Sequence, residues 1–233
     1  MKYSVIVPVF NYAKGLEKVI WDIHDTCISH MGEYEIVVID DNSSSLSEEF
    51  LREKTDWWAK NVFSKETLRY FRNKINYGFG MSCNLGFERS FGEKVFFVST
   101  DVEVRRDFLS QSDKILNQED GVRKLLGGIL HAQNTGWNMF GDKIFPYLGG
   151  WFLGCKSEDF EFLGGFDPIY GRYDYEDVDI STKALAKGFV LEELPHGMFD
   201  HYSGRSIATV VSSAERERQT KINQEVFRRK WNV

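Results

Sequence analysis

The sequence predicts an α/β protein with a mostly parallel central sheet flanked by helices. Three observations carry this. Short runs rich in β-branched and aromatic residues recur through the first hundred positions, apolar on both faces as strands covered by two helical layers must be. Amphipathic stretches with three- and four-residue apolar steps alternate with them. Polar, turn-forming residues close the runs, as in Asp41-Asn42-Ser43-Ser44.

Tyr3-Ser4-Val5-Ile6-Val7-Pro8 reads as the first buried strand, stopped by proline, with Phe10-Asn11-Tyr12 as the following loop. Leu16, Val19, Ile20, Ile23 and Cys27 lay one stripe along a helix. Glu35 to Asp40 is the second strand. Ser45-Leu46-Ser47-Glu48 has capping-box spacing and starts the next helix. Leu68 to Phe71 and Lys94 to Ser99 are the third and fourth strands, with a helix from Met81 to Phe91 between them. The first hundred residues therefore have the form of a nucleotide-binding α/β half. After Thr100 the pattern loosens. Leu125 to His131 and Tyr147 to Leu153 read as strands, separated by a stretch around Asn134-Thr135-Gly136-Trp137. Glu176 to Lys187 is helical and closed by Gly188, and Ser213 to Trp231 forms the last helix. With no repeat or linker, residues 1–233 read as one domain, 1–103 as its nucleotide-binding half and 104–233 as the other.

Of the 233 residues 42% are hydrophobic, enough to bury a core. A formal charge of −6 argues against nucleic acid as a partner. Cys27, Cys83 and Cys155 form no C-x-x-C pair, so buried thiols in a reducing compartment are expected. No apolar run approaches the ~20 residues of a membrane span and no signal-type segment opens the chain, which implies a soluble, cytoplasmic protein.

In open parallel sheets ligands bind beyond the carboxyl ends of the strands. Three such ends invite attention: Pro8 to Asn11, Asp40 with Asp41, and Asp101 with Glu103. Ser99-Thr100-Asp101-Val102-Glu103 spaces two carboxylates two residues apart, on one side of an extended segment. They suit a hard divalent cation, or simply a solvated turn. In Tyr173-Asp174-Tyr175-Glu176-Asp177-Val178-Asp179 the acids favour a helix start. Their tyrosine neighbours make a partly dry surface suited to sugar rings, where desolvation lifts a carboxylate toward base catalysis. Asp200-His201-Tyr202-Ser203-Gly204 offers a histidine that either completes a metal shell or is a hydrogen-bonded surface residue. Gly78-Phe79-Gly80 lacks the third glycine of the dinucleotide fingerprint, and phosphate-loop, zinc-helix and nucleophile-elbow motifs are missing. Dehydrogenases, P-loop enzymes and serine hydrolases are thereby excluded.

In this order the pieces resemble the family 2 glycosyltransferases, whose GT-A fold is a Rossmann-like, mostly parallel sheet with a smaller acceptor-side sheet. Ser4 to Asn11 is similar to the opening strand and loop, and Glu35 to Ser44 to the second strand with its Asp-Asp-x-Ser turn. Asn76-Tyr77-Gly78 with Asn84 and Gly86 resembles the N-x-G…N-x-G segment, and Ser99 to Glu103 the D-x-D motif. Gly164-Gly165-Phe166-Asp167, Glu176-Asp177-Val178-Asp179 and Phe227-Arg228-Arg229-Lys230-Trp231 resemble the G-G-F-D, E-D-x-D and terminal K-W stretches of the bacterial rhamnosyltransferase-like branch.

The resemblance implies roles. Pro8, Val9, Phe10 and Asn11 would line the base and ribose pocket, with Asn76 and Gly78 beside them, and Asp40 would accept from the base. Asp101 would meet ribose or metal-bound water. Glu103, replacing the commoner Asp, would ligate Mn²⁺ or Mg²⁺ directly, with His201 a second ligand. Asp177 matches the catalytic base and Glu176 its neighbour. Trp151, Gly150 and Tyr175 would meet the acceptor. Trp137, Tyr147, Phe152 and Tyr170 either stack on sugars or pack the core. One base and one metal suffice for a single displacement, so inversion is implied, whereas a carboxylate nucleophile would give retention. The implied reaction moves a sugar from a UDP- or dTDP-linked donor to a glycan or lipid-linked acceptor in surface polysaccharide synthesis. The final helix carries Arg216, Arg218, Lys221, Arg228, Arg229 and Lys230 against Glu215, Glu217 and Glu225, a peripheral contact for the inner membrane surface or a solvated face. The competing readings are a sugar-nucleotide nucleotidyltransferase, whose glycine- and lysine-rich loop Val9 to Gly15 lacks, and a non-catalytic glycan-binding protein that kept the fold.

Overall fold

A computed structural model describes residues 1–202 and 212–233. The chain runs β1 (Tyr3–Val9), α1 (Ala13–Thr26), β2 (Tyr34–Asp40), α2 (Ser45–Asn61), β3 (Leu68–Arg72), α3 (Phe79–Phe87), β4 (Lys94–Val98), β5 (Val102–Val104) and α4 (Phe108–Leu116). It continues with β6 (Lys124–Gly127), β7 (Leu130–His131), β8 (Met139–Phe140), β9 (Lys143–Ile144), β10 (Tyr147–Leu148), β11 (Phe152–Lys156) and α5 (Ser157–Leu163). Last come α6 (Glu176–Ala186), β12 (Val190–Glu193), β13 (Phe199–His201) and α7 (Ser213–Trp231).

The central sheet has the order β12-β6-β11-β4-β1-β2-β3, parallel except where β11 runs antiparallel to β4 and β6. Every residue of β1, β2 and β4 is buried, as their unbroken apolar runs require. Alternate side chains feed two cores. Val5, Val7, Ile36, Val38, Phe96 and Val98 pack with α1, α2 and α4; Ile6, Val37, Ile39, Val95 and Phe97 pack with α3, α5 and α6. A third cluster, Phe140, Tyr170, Tyr175, Val178 and Phe227, lies beneath α7. Cys27, Cys83 and Cys155 are buried free thiols, and burial pushes Cys27 up to about 12.

The expected smaller sheet is instead, among the described residues, a set of two-stranded ribbons, β7 with β10, β5 with β13 and β8 with β9. The two runs read as single strands are each broken at glycine. Between β6 and β7, Gly128 passes so close to Trp151 that a Cβ there would lie 2.0 Å from the indole; Gly149 and Gly150 interrupt the second run. Residue 44, one position before the expected cap, is the one that precedes α2. Helix α3 begins earlier than predicted, where Asp41 gathers the Tyr77 and Gly78 N–H groups just before it (2.8 and 2.7 Å). It also ends earlier, where the backbone tightens into the three-residue steps Arg89 N–H to Gly86 O (3.1 Å) and Ser90 N–H to Phe87 O (3.0 Å). No helix among the described residues is long and apolar enough to cross a membrane.

Candidate active site

Sheet order reverses direction at β1, which has β2 on one side and β4 on the other. That switch point opens a crevice at the carboxyl ends of the strands. A cleft of about 1350 Å³ lies there, lined by Pro8, Val9 and Phe10 from β1, Asn76 and Gly78 before α3, and Ser99 to Asp101 after β4. Gly149 to Trp151, Tyr175 to Asp177 and His201 line it as well.

On the β1 side, two expected contacts are corrected. Asn11, in the left-handed region at φ 52°, does not line the cleft. Its Oδ1 accepts from Ser44 N–H (2.7 Å) and its own N–H donates to Ser43 Oγ (2.9 Å), so it joins two strand-end loops. Asp40 is fully buried, and its oxygens accept from Ser43 N–H (2.9 Å), Tyr70 Oη (2.6 Å) and Arg72 Nη1 (2.6 Å). A carboxylate so satisfied turns away from any base. Asp41 borders the cleft instead, accepting from Asn73 Nδ2 (2.9 Å) and the two N–H groups before α3. Asn76 Oδ1 is buried in the same wall without a partner, an acceptor free for a ligand hydrogen. Gly78 sits at φ +89°, where a Cβ would lie 2.2 Å from Arg172 Cα. Gly78→Ala is expected to cost about 2–4 kcal/mol, read as a lowered urea midpoint; an unchanged midpoint would show that Arg172 can move aside.

The D-x-D reading also needs correction. Ser99 to Val102 is a turn, closed by Val102 N–H to Ser99 O (3.3 Å), so the two-residue period does not hold across it. Asp101 faces the cleft. Ser99 Oγ donates to its Oδ1 (2.6 Å), and His201 Nε2 lies 3.7 Å from that oxygen, carried there by β13 pairing with β5. Glu103 does not line the cleft. Its Oε1 pairs with Lys18 (2.7 Å) and Arg105 (2.9 Å), and its Oε2 accepts from Tyr202 Oη (2.7 Å). Lys18 and Tyr202 hold its carboxyl below the usual range. Gly15 lets α1 approach this turn, since a Cβ there would lie 2.4 Å from Thr100 O. The rest of the histidine motif, Ser203-Gly204, lies outside the described residues.

The start of α6 lines the same cleft. Asp177 Oδ2 accepts from Gly150 N–H (3.0 Å) and Oδ1 from Val178 N–H (2.8 Å). Desolvation pushes its carboxyl up to about 6, held back by those two N–H donors. Glu176 rises well above the carboxylate range, by burial and then by the charge of Asp177. Its Oε2 is buried without a partner. Gly150 thus positions the acid, and a Cβ there would press on Asp177 at 3.0 Å.

Trp151 lines the cleft, but one face of its indole is stacked on His201 (4.9 Å) with Phe199 at its edge. Tyr175 is buried, its ring against Phe140 and Phe227. Phe152 and Tyr170 belong to the cores. Trp137 and Tyr147 remain at the cleft wall.

The short motifs hold one another in place. Asn84 and Phe166 exchange hydrogen bonds, Asn84 Nδ2 to Phe166 O (2.8 Å) and Phe166 N–H to Asn84 Oδ1 (2.9 Å). Fully buried Asp179 accepts from Tyr170 Oη (2.9 Å), Lys230 Nζ (2.8 Å) and Trp231 Nε1 (2.9 Å), which explains the terminal Lys-Trp pair. Asp174 and Tyr175, both left-handed at φ 67° and 78°, enter α6 through a turn that α7 grips. Asn223 Nδ2 donates to the carbonyls of Tyr170, Tyr173 and Asp174 (2.7–2.9 Å), and Arg216 and Thr220 bind the Asp174 carboxylate. Asn223 carried no sequence signal, because its partners lie about fifty residues away, and Asp174, expected only as one of the acids before the helix, is held from α7. Arg216 and Lys230 are engaged in these inward contacts, while Lys221, Arg228 and Arg229 pair with Glu217 and Glu225 on the exposed side of α7.

Residues 4–122 match the family described as Glycosyl transferase family 2. The undecaprenyl-phosphate 4-deoxy-4-formamido-L-arabinose transferase of Proteus mirabilis (strain HI4320) is 28% identical over 102 residues, covering 44% of this chain and 29% of that protein. The chain spans less than a third of the length of that curated relative. The mannosyltransferase PcManGT from Pyrobaculum calidifontis, solved with GDP-Man and Mn²⁺, superimposes with a TM-score of 0.61 at 21% identity over 84% of this chain and 55% of that one. S. aureus TarS 1–349 with UDP-GlcNAc gives 0.61 at 17% identity, over 94% and 64%. Both share the helix-flanked central sheet of the GT-A fold. From its first strand to beyond its midpoint this chain carries the family's sequence on the family's architecture, and it belongs to glycosyl transferase family 2.

Proposed function

We propose that the protein is an inverting, divalent-cation-dependent transferase that moves a sugar from a UDP- or dTDP-linked donor to a hydroxyl of a surface glycan or lipid-linked acceptor. One observation carries this reading: a desolvated carboxylate, Asp177, held by Gly150 and Val178 N–H groups, shares a cleft with the Asp101–His201 pair.

The acceptor oxygen bonds to the anomeric carbon as the bond from that carbon to the diphosphate oxygen breaks, and the hydroxyl proton passes to Asp177. A base near 6 is largely ionised at neutral pH yet more basic than an ordinary carboxylate. Glu176, held well above that range, is a poor nucleophile, which favours one displacement with inversion. The nucleoside would rest on Pro8 to Phe10, with Asn76 Oδ1 as its hydrogen-bond acceptor. Asp101 Oδ1 and His201 Nε2, 3.7 Å apart, fit a shared Mn²⁺ or Mg²⁺. No third His, Cys, Asp or Glu joins them among the described residues, which suits a cation that completes its shell with substrate phosphate and water. Bound there, such a cation would supply positive charge to the leaving diphosphate.

A thermal-shift panel tests the reading. With Mn²⁺ present, at least one UDP- or dTDP-sugar at a hundredfold excess over its Kd should raise Tm by about 5–10 °C. A shift with GDP-sugars alone would overturn the donor base, and no metal-dependent shift with any of them would overturn the activity.

A further inference from the structure

The far end of the cleft is built around a tryptophan left in solvent. Trp137 is 45% exposed, although its loop is tightly knotted. Asn138 is fully buried; its amide donates to the carbonyls of His131 (3.4 Å), Gln133 (3.0 Å) and Phe145 (3.1 Å). Its Oδ1 accepts from Thr135 N–H (3.0 Å) and Thr135 Oγ1 (3.1 Å). Gly136 supplies the left-handed step at φ 83°. Tyr175 Oη donates to Trp137 O (2.8 Å), fixing the loop to the residue just before Glu176 and Asp177.

A loop with this many satisfied polar groups has little freedom to fold its indole away, so the ring is presented to whatever enters the cleft. Other side chains of this chain are as exposed, Trp57 among them; what sets Trp137 apart is that it lines the cleft shared with Asp177. Pyranose rings carry flat C–H faces complementary to an indole, with hydroxyls at their edges. Hydroxyls also suit Asp177 and Glu193, two carboxylates that line the same cleft, where Arg216 and Lys221 are already paired with Asp174 and Glu217. We propose that Trp137 is the stacking platform for a sugar ring of the acceptor, so that the attacking hydroxyl belongs to a glycan and not to a bare lipid phosphate. This rests on the transferase reading above and sharpens its acceptor.

The test uses the full chain with ¹⁵N-labelled tryptophan indoles. Trp137→Phe identifies the Trp137 Nε1–H resonance. Methyl α-rhamnoside, methyl β-glucoside, methyl β-galactoside and farnesyl phosphate are titrated separately. The expected result is a saturable shift of the Trp137 signal with at least one glycoside and none with farnesyl phosphate. With that glycoside as acceptor, Trp137→Ala should raise its KM about tenfold, and Trp137→Phe should restore most of the loss. A shift with farnesyl phosphate alone, or with no probe at all, overturns the proposal. Metal-dependent donor binding in the thermal-shift panel tells that failure from failure of the transferase reading.

Discussion

Asp177→Asn should lower kcat by about 10²–10⁴-fold while leaving donor-induced thermal stabilisation in place. The amide keeps the shape that meets Gly150 N–H but cannot take a proton from the acceptor. The proposed donor pocket is assembled from other residues of the cleft, Pro8 to Phe10, Asn76 and Asp101. In the unmodified protein the same group sets an acid limb. Below about pH 6, protonation of Asp177 removes the base, and kcat should fall about tenfold per pH unit. Normal turnover by the asparagine variant, or a flat profile down to pH 5, would remove Asp177 from this role.

Asp101→Asn and Glu103→Gln should separate two acids that lie two positions apart. The first is expected to abolish the Mn²⁺-dependent part of the thermal shift and to cost about 10³-fold in turnover, since a cation neutralising a diphosphate contributes several kcal/mol. The second removes a carboxylate paired with Lys18 and Arg105 outside the cleft. It should cost about 1 kcal/mol of stability and leave metal-dependent donor binding intact. The reverse outcome would restore Glu103 as the ligand and require the turn after β4 to rearrange.

Elements whose apolar pattern is long or unbroken were legible in the chain: β1, β2 and β4, the stripe of α1, and the helices α6 and α7. Helices α4 and α5 were not read from the chain, although Asp107 caps α4 by accepting from Ser110 N–H (3.0 Å); α5, at seven residues, spans too few turns for a period to show. The strand-end positions of the site were also legible, because topology puts ligands there whatever the chemistry. Which acid of a neighbouring pair faces inward was not. Asp40 against Asp41, and Asp101 against Glu103, are decided by a hydrogen-bonded turn and by cations from distant elements, Arg72 in one case and Lys18 in the other. Burial within the cleft was hidden for a related reason. Trp137, Trp151 and Tyr175 all line it, and only packing shows that His201 and Phe227 lie against the last two.

The grip of α7 on the left-handed pair Asp174-Tyr175 has a consequence for biosynthesis. Two non-glycine residues in that conformation cost about 1–3 kcal/mol each, and the contacts that offset this come from side chains such as Arg216, forty-two positions downstream. The turn leading into Asp177 is therefore held in its strained conformation only while α7 is docked on it, so in a growing polypeptide that turn cannot be set until α7 has been made.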